Sequence, residues 1–176
     1  GFVDVAKFAI KFLIKNNMKL ACPQKRDKKV NPKLFNRDIN FYKKHLTSSE
    51  FNYLISNSLK REGQYSSYLT VMQSKVVVGV ASTLLREKLG VGGKILSCNL
   101  TPTDIYDFPI RGICSIKNCT YQEFEKRLLE IYPMSEEEYF SKIDKNPDYI
   151  VKFDKNKSTI NLIREKLTEF GVNQNY

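Results

Sequence analysis

Apolar residues change rhythm along this chain, and the changes mark its elements. Phe2, Val5, Ala6, Ala9, Ile10 and Leu13 fall on one side of a 3.6-residue repeat and predict a helix over residues 2–17. A short apolar run, residues 18–22 (MKLAC), ends at Pro23 and predicts a strand followed by a charged loop, residues 24–31 (QKRDKKVN). Residues 32–45 and 48–59 read as two helices, the second started by Ser48 with Glu50 close behind. After a polar break around Gly63, a short helix over 66–73 leads into residues 75–80 (KVVVGV), the clearest strand of the chain. A run of valines without polar alternation is what a parallel strand covered on both faces requires.

Ala81-Ser82-Thr83 turns the chain into a helix over 84–89, which Gly90 and the Gly92-Gly93 pair stop. Residues 94–98 (KILSC) form another buried strand, 99–109 a loop and 110–116 a further strand. Helices follow over 121–131, 135–143 and 158–170. Helices alternating with short apolar strands imply βαβ units, hence an α/β domain with a mostly parallel sheet and helices on both faces. Neither a repeat nor a linker divides the chain, so residues 1–176 are expected to form one domain.

Composition narrows the function classes. The chain has 41% apolar and 27% charged residues, which fits an ordinary soluble protein. Its apolar runs are too short to span a bilayer. Phe2 to Ile14 is interrupted by Asp4, Lys7 and Lys11, so it does not read as a signal peptide. The chain opens directly on a helix, which suggests a piece of something longer. Lys and Arg number 29 against 19 Asp and Glu, a net charge of +10 that favours anionic partners without choosing among phosphates, nucleic acid and a membrane face. Cys22, Cys98, Cys114 and Cys119 form no CxxC pair, and His45 is the single histidine, so no metal site is expected. Reduced thiols in the core suggest a cytoplasmic protein, with room for contact at the inner face of the membrane. The Asn-x-Ser/Thr matches at Asn99, Asn118 and Asn156 carry no weight there.

The segment around Ser82 carries the chemistry. In an open parallel sheet ligands bind outside the carboxyl ends of the strands. There Ser82 and Thr83 would open a helix whose unpaired N–H groups and positive dipole end suit a phosphate. Glu87 lies one turn on, on the side of Thr83, where a carboxylate can accept from ribose hydroxyls. The plain readings stand beside these: an N-cap for the hydroxyls and a solvated helix face for Glu87, which is too far from Thr83 for a capping box.

A Val-rich strand, a small-residue turn, Ser-Thr, two leucines, a Glu and a further apolar strand together resemble the donor-binding half of GT-B-type glycosyltransferases. The likeness is greatest to bacterial surface-carbohydrate enzymes and related sugar-nucleotide epimerases, and it is carried by Gly79, Ser82, Thr83, Glu87 and residues 94–98. It implies a Rossmann-like domain that holds a nucleotide-sugar donor for transfer to a carbohydrate acceptor, without a cofactor. It assigns Ser82 and Thr83 to the pyrophosphate and Glu87 to the ribose. Lys25 and Arg26, after the first strand, match the basic residue that neutralises the donor phosphates. GT-B enzymes are built from two such domains, so an N-terminal acceptor domain is missing and the catalytic residues stay unassigned.

Other signals are weaker. Gly90-Val91-Gly92-Gly93-Lys94 lacks the Ser/Thr of a phosphate-binding loop and reads as a turn. Asp104 and Asp107 read as loop caps rather than metal ligands, and His45 as a surface residue. Nucleic-acid binding, or a non-catalytic interaction module, is the alternative that the charge and ten tyrosines support. No aromatic-basic motif accompanies them, so no nucleic-acid partner is expected.

Overall fold

A computed structural model describes residues 1–23, 28–59, 65–152, 154 and 156–169. Helix α1 (Phe2–Lys15) leads to the two-residue strand β1 (Cys22–Pro23). Helices α2 (Pro32–His45) and α3 (Ser48–Asn57) precede β2 (Ser58–Leu59). Helix α4 (Ser66–Gln73), β3 (Val76–Gly79), α5 (Thr83–Gly90) and β4 (Lys94–Asn99) follow. The chain ends with β5 (Ser115–Lys117), α6 (Tyr121–Ile131), α7 (Glu136–Ser141) and α8 (Thr159–Glu169).

Strands β3, β4 and β5 form a parallel sheet in that order, with Gly79 paired to Ser97 and Ser97 to Ser115. All six residues of central β4 are buried, as the unalternated sequence KILSCN demands of a strand covered on both faces. Leu85 and Leu89 of α5 meet the sheet in a core with Ile95, Leu96, Ile110, Phe124 and Ile131. Fully burying side chains of this size contributes about 1.5–3 kcal/mol each. Helix α1 packs on α3 and α6, while α4 packs on α5. The rings of Phe8 and Phe12 meet Phe124, and Ile10 belongs to a second cluster with Leu46 and Leu54. The architecture is mixed α/β, a small parallel sheet among many helices, consistent with a Rossmann-like fold.

Three expectations need correction. Residues 18–22 do not form a strand of the main sheet; β1 pairs only with β2, in parallel, as a separate ladder. The preceding residues are spent on helix ends instead: Asn17 turns at φ 49°, Met18 N–H donates to Leu13, and Met18 carbonyl accepts from Tyr53 of α3. Helix α3 stops at Asn57, because Ser58 is extended and enters β2; its cap is Thr47, in a reciprocal box with Glu50, rather than Ser48. The strand expected over 110–116 shrinks to Ser115–Lys117, since Gly112 at φ 97° bends the chain just before it. A Cβ at Gly112 would lie 2.2 Å from the Lys142 carbonyl oxygen, so only glycine fits.

The amino end of the sheet is closed by two buried lysines. Lys94 donates to the carbonyls of Ile131, Tyr132 and Met134, satisfying the C-terminus of α6. Lys88 donates to the Met72 carbonyl near the end of α4. Burial lowers the pKa of both ammonium groups. All four cysteines are free, and only Cys98 and Cys114 are fully buried; Cys22 and Cys119 are half-buried.

Candidate functional site

Three residues turn β3 into α5. Val80 leaves the strand, Ala81 adopts φ 40°, and Ser82 is already the cap of the helix. The left-handed conformation at Ala81 costs roughly 1–2 kcal/mol for a residue with a Cβ. Here it redirects the chain within one residue. Ser82 Oγ accepts from Leu84 N–H at 3.3 Å, and its carbonyl accepts from Leu85 N–H at 3.1 Å. Gly79 faces Leu85 of α5, which a Cβ at that position would meet at an ordinary contact distance of 3.4 Å.

The expected helix start at Ser82-Thr83 is thus present, with Thr83 exposed and Ser82 half-buried. The N-cap reading of Ser82 is also correct, and the two roles are compatible, because one hydroxyl occupies one N–H only. Glu87 lies half-buried one turn beyond Thr83. Lys25 and Arg26 lie outside the described residues.

Continuing the register from Gly79–Ser97 and Asn99–Lys117 brings Ala81, Asn99 and Lys117 to one level at the carboxyl edge. Of the polar cluster there, the sequence marked Asp104 and Asp107 as loop caps but did not join them to Asn99 or Lys117. Asn99, the last residue of β4, donates to the Thr103 carbonyl at 2.8 Å and to Asp107 at 2.5 Å. Its Oδ1 accepts from the Thr101 N–H and hydroxyl. Lys117 reaches back from β5 to Asp104 at 2.6 Å and Asp107 at 2.8 Å. The Lys117 hydrogen bond, followed by that of Asn99, holds the Asp107 carboxyl below its ordinary range. The signal that could have revealed this cluster is the alternation Asn99, Thr101, Thr103 directly after an apolar strand. Thr103, rather than either aspartate, caps the turn Asp104–Tyr106; the aspartates clamp Lys117.

The remaining candidates behave as ordinary structure. His45 is exposed at the end of α2, its ring 4.8 Å from Phe41. Residues 90–93 form the turn after α5, with Gly92 at φ 89° and Gly93 N–H bonded to the Lys88 carbonyl. Among the described residues no group of three or more His, Cys, Asp or Glu could hold a metal ion, and no helix is long and apolar enough to cross a membrane.

A parallel α/β sheet with a capped helix start at its carboxyl edge defines the class of domain. The particular family follows from comparison: the chain belongs to the family described as "putative O-antigen biosynthesis protein", which matches residues 5–167. That description points to surface-carbohydrate biosynthesis. No curated protein matches the chain. No solved structure matches it either.

Proposed function

We propose that the chain is the donor-binding half of a GT-B-type glycosyltransferase acting in surface-carbohydrate biosynthesis. The observation that carries this reading is the Ser82-capped start of α5, set directly at the carboxyl end of β3 in a parallel sheet. The remaining free N–H groups of that turn and the dipole of α5 would face the diphosphate of a nucleoside-diphosphate sugar. As the glycosyl group passes to an acceptor hydroxyl, the bond from the anomeric carbon to the diphosphate breaks and charge grows on the leaving oxygen. N–H groups already oriented toward that oxygen lower the barrier without reorganising. Thr83 adds a hydroxyl donor and Glu87 accepts from the ribose. Lys25 and Arg26 would balance the phosphate charge, and an acceptor domain beyond this chain would supply the catalytic base.

Calorimetric titration of uridine and guanosine diphosphates, and of their sugar nucleotides, tests the reading. Thr83→Ala should weaken diphosphates about ten- to a hundred-fold, the loss of a hydrogen bond to a charged group. Glu87→Ala should weaken nucleosides and nucleotides alike, and Glu87→Gln should cost less because its amide oxygen still accepts. A chain that binds these nucleotides with undiminished affinity in Glu87→Ala would exclude the ribose role.

A further inference from the structure

The net charge of +10 is not shared along the chain. Residues 1–60 hold thirteen Lys and Arg against four Asp and Glu, so a surplus of nine falls in the first third. Beyond residue 60 sixteen Lys and Arg face fifteen Asp and Glu, and four lysines there have carboxylate partners: Lys117 with Asp104 and Asp107, Lys142 with Glu130 and Glu138, Lys157 with Glu165, and Lys166 with Glu169. Within the first third, Lys15 is matched to Glu125 of α6, and Lys11 lies over the Tyr121 ring.

The surplus gathers on α2 and the turn before it. At 100° per residue, Lys33, Arg37 and Lys44 fall within about 40° of one another on this helix, with Asn40 between them and Phe41 beside them. Lys33, Arg37, Lys43 and Lys44 are all exposed. The only acid of α2 is Asp38, on the other side and 3.6 Å from Arg37. Phe35, Ile39 and Tyr42 occupy the inward side and are half-buried. Two apolar side chains stand out of the basic surface: Val30, 83% exposed in the turn with Lys28 and Lys29, and Phe41, 46% exposed.

We infer that this outer face of α2, with the Lys28–Val30 turn, docks on an anionic lipid bilayer. Cationic groups along one side of a helix suit a sheet of lipid phosphates, and apolar tips among them enter the boundary between headgroups and acyl chains. Nucleic acid fits less well. Of the two apolar tips only Phe41 has a ring to stack on a base, and among the described cations of this surface only Arg37 offers the bidentate fork that reads phosphates and base edges. The inference does not depend on the nucleotide-sugar reading.

Co-sedimentation with vesicles of mixed phosphatidylglycerol and phosphatidylcholine, and of phosphatidylcholine alone, tests it with the whole chain. Binding should appear with the mixed vesicles and not with phosphatidylcholine. Combining Lys33→Ser, Arg37→Ser and Lys44→Ser should lower affinity on the order of a hundred-fold, about five-fold per charge. Combining Lys126→Ser, Lys145→Ser and Lys166→Ser removes the same charge elsewhere and should lower it far less. Phe41→Ser should weaken binding while leaving the far-ultraviolet circular dichroism unchanged. Absence of binding to the mixed vesicles would overturn the inference, as would equal losses in the two triple variants. So would an unchanged affinity in Phe41→Ser, or binding to RNA without binding to vesicles.

Discussion

Tyr139 of α7 behaves toward Ile95 of β4 as a missing strand would. Its hydroxyl donates to the Ile95 carbonyl at 2.7 Å and accepts from the Ile95 N–H at 3.0 Å. Strand β5 reaches β4 only from Ser97 onward, so this hydroxyl satisfies the two backbone groups that precede the ladder. Both residues are fully buried, and nothing else would pair those groups away from water. Tyr139→Phe keeps the ring and orphans both groups. It should lower the unfolding free energy by about 1–3 kcal/mol, read from urea denaturation.

The same contact sets a pH dependence. Burial raises the pKa of the Tyr139 phenol far above its ordinary range. The folded protein therefore keeps this proton where the unfolded chain, at about 10, gives it up. The contribution is complete below the unfolded value and is lost as pH rises beyond it. Between about pH 8 and about pH 11 the wild type should lose more stability than Tyr139→Phe. Equal slopes in denaturation series would contradict the assignment.

Lys94 should prove structural. Its ammonium satisfies three carbonyls at the end of α6, and Lys94→Met keeps the stem while leaving them unpaired. A loss of about 1.5–3 kcal/mol is expected in urea denaturation. Lys166→Met, which breaks an exposed pair with Glu169, should change stability by less than about 1 kcal/mol.

At the carboxyl edge the prediction concerns a loop rather than the whole fold. Lys117, then Asn99, lowers the Asp107 pKa, so the clamp holds above the ordinary carboxylate range and is lost as pH falls through the lower folded value. Lys117→Ala should return the Asp107 titration, followed by carboxyl NMR, toward its ordinary range. Exchange of the Thr101 amide, which donates to Asn99, should quicken with it. An Asp107 titration unmoved by Lys117→Ala would show that the clamp is not what lowers it.

Ala81 offers a fifth test. At φ 40° it bears a left-handed penalty of roughly 1–2 kcal/mol, against an entropic cost of roughly 0.5–1 kcal/mol for glycine. Ala81→Gly should therefore raise stability by about 0.5 kcal/mol, and Ala81→Val should lower it. Thermal denaturation of the two variants reads the difference in sign.

Much was determined by the sequence itself, because the forces involved are local. The apolar rhythm placed α2, α4 and α6 at their observed bounds, and the valine run of β3 with KILSC of β4 led to the parallel pair. The same residues located the turn at Ser82, where a hydroxyl before a helix has one geometry available. The total of +10 was read from the sequence, but its concentration in residues 1–60 was not, because the lysines are spread along the chain and it is the acids that are unevenly placed.

Only the tertiary structure decided which partners these segments take. Residues 18–22 and 110–116 have the composition of strands, yet Met18 is held by α1 and α3, and Gly112 bends beneath Lys142. Whether an apolar run becomes a strand depends on which backbone lies beside it, and that is fixed by residues distant in sequence. The clamp of Asn99, Asp107 and Lys117 and the pairing of Tyr139 with Ile95 arise the same way. Each joins residues eight or more positions apart that nothing local brings together.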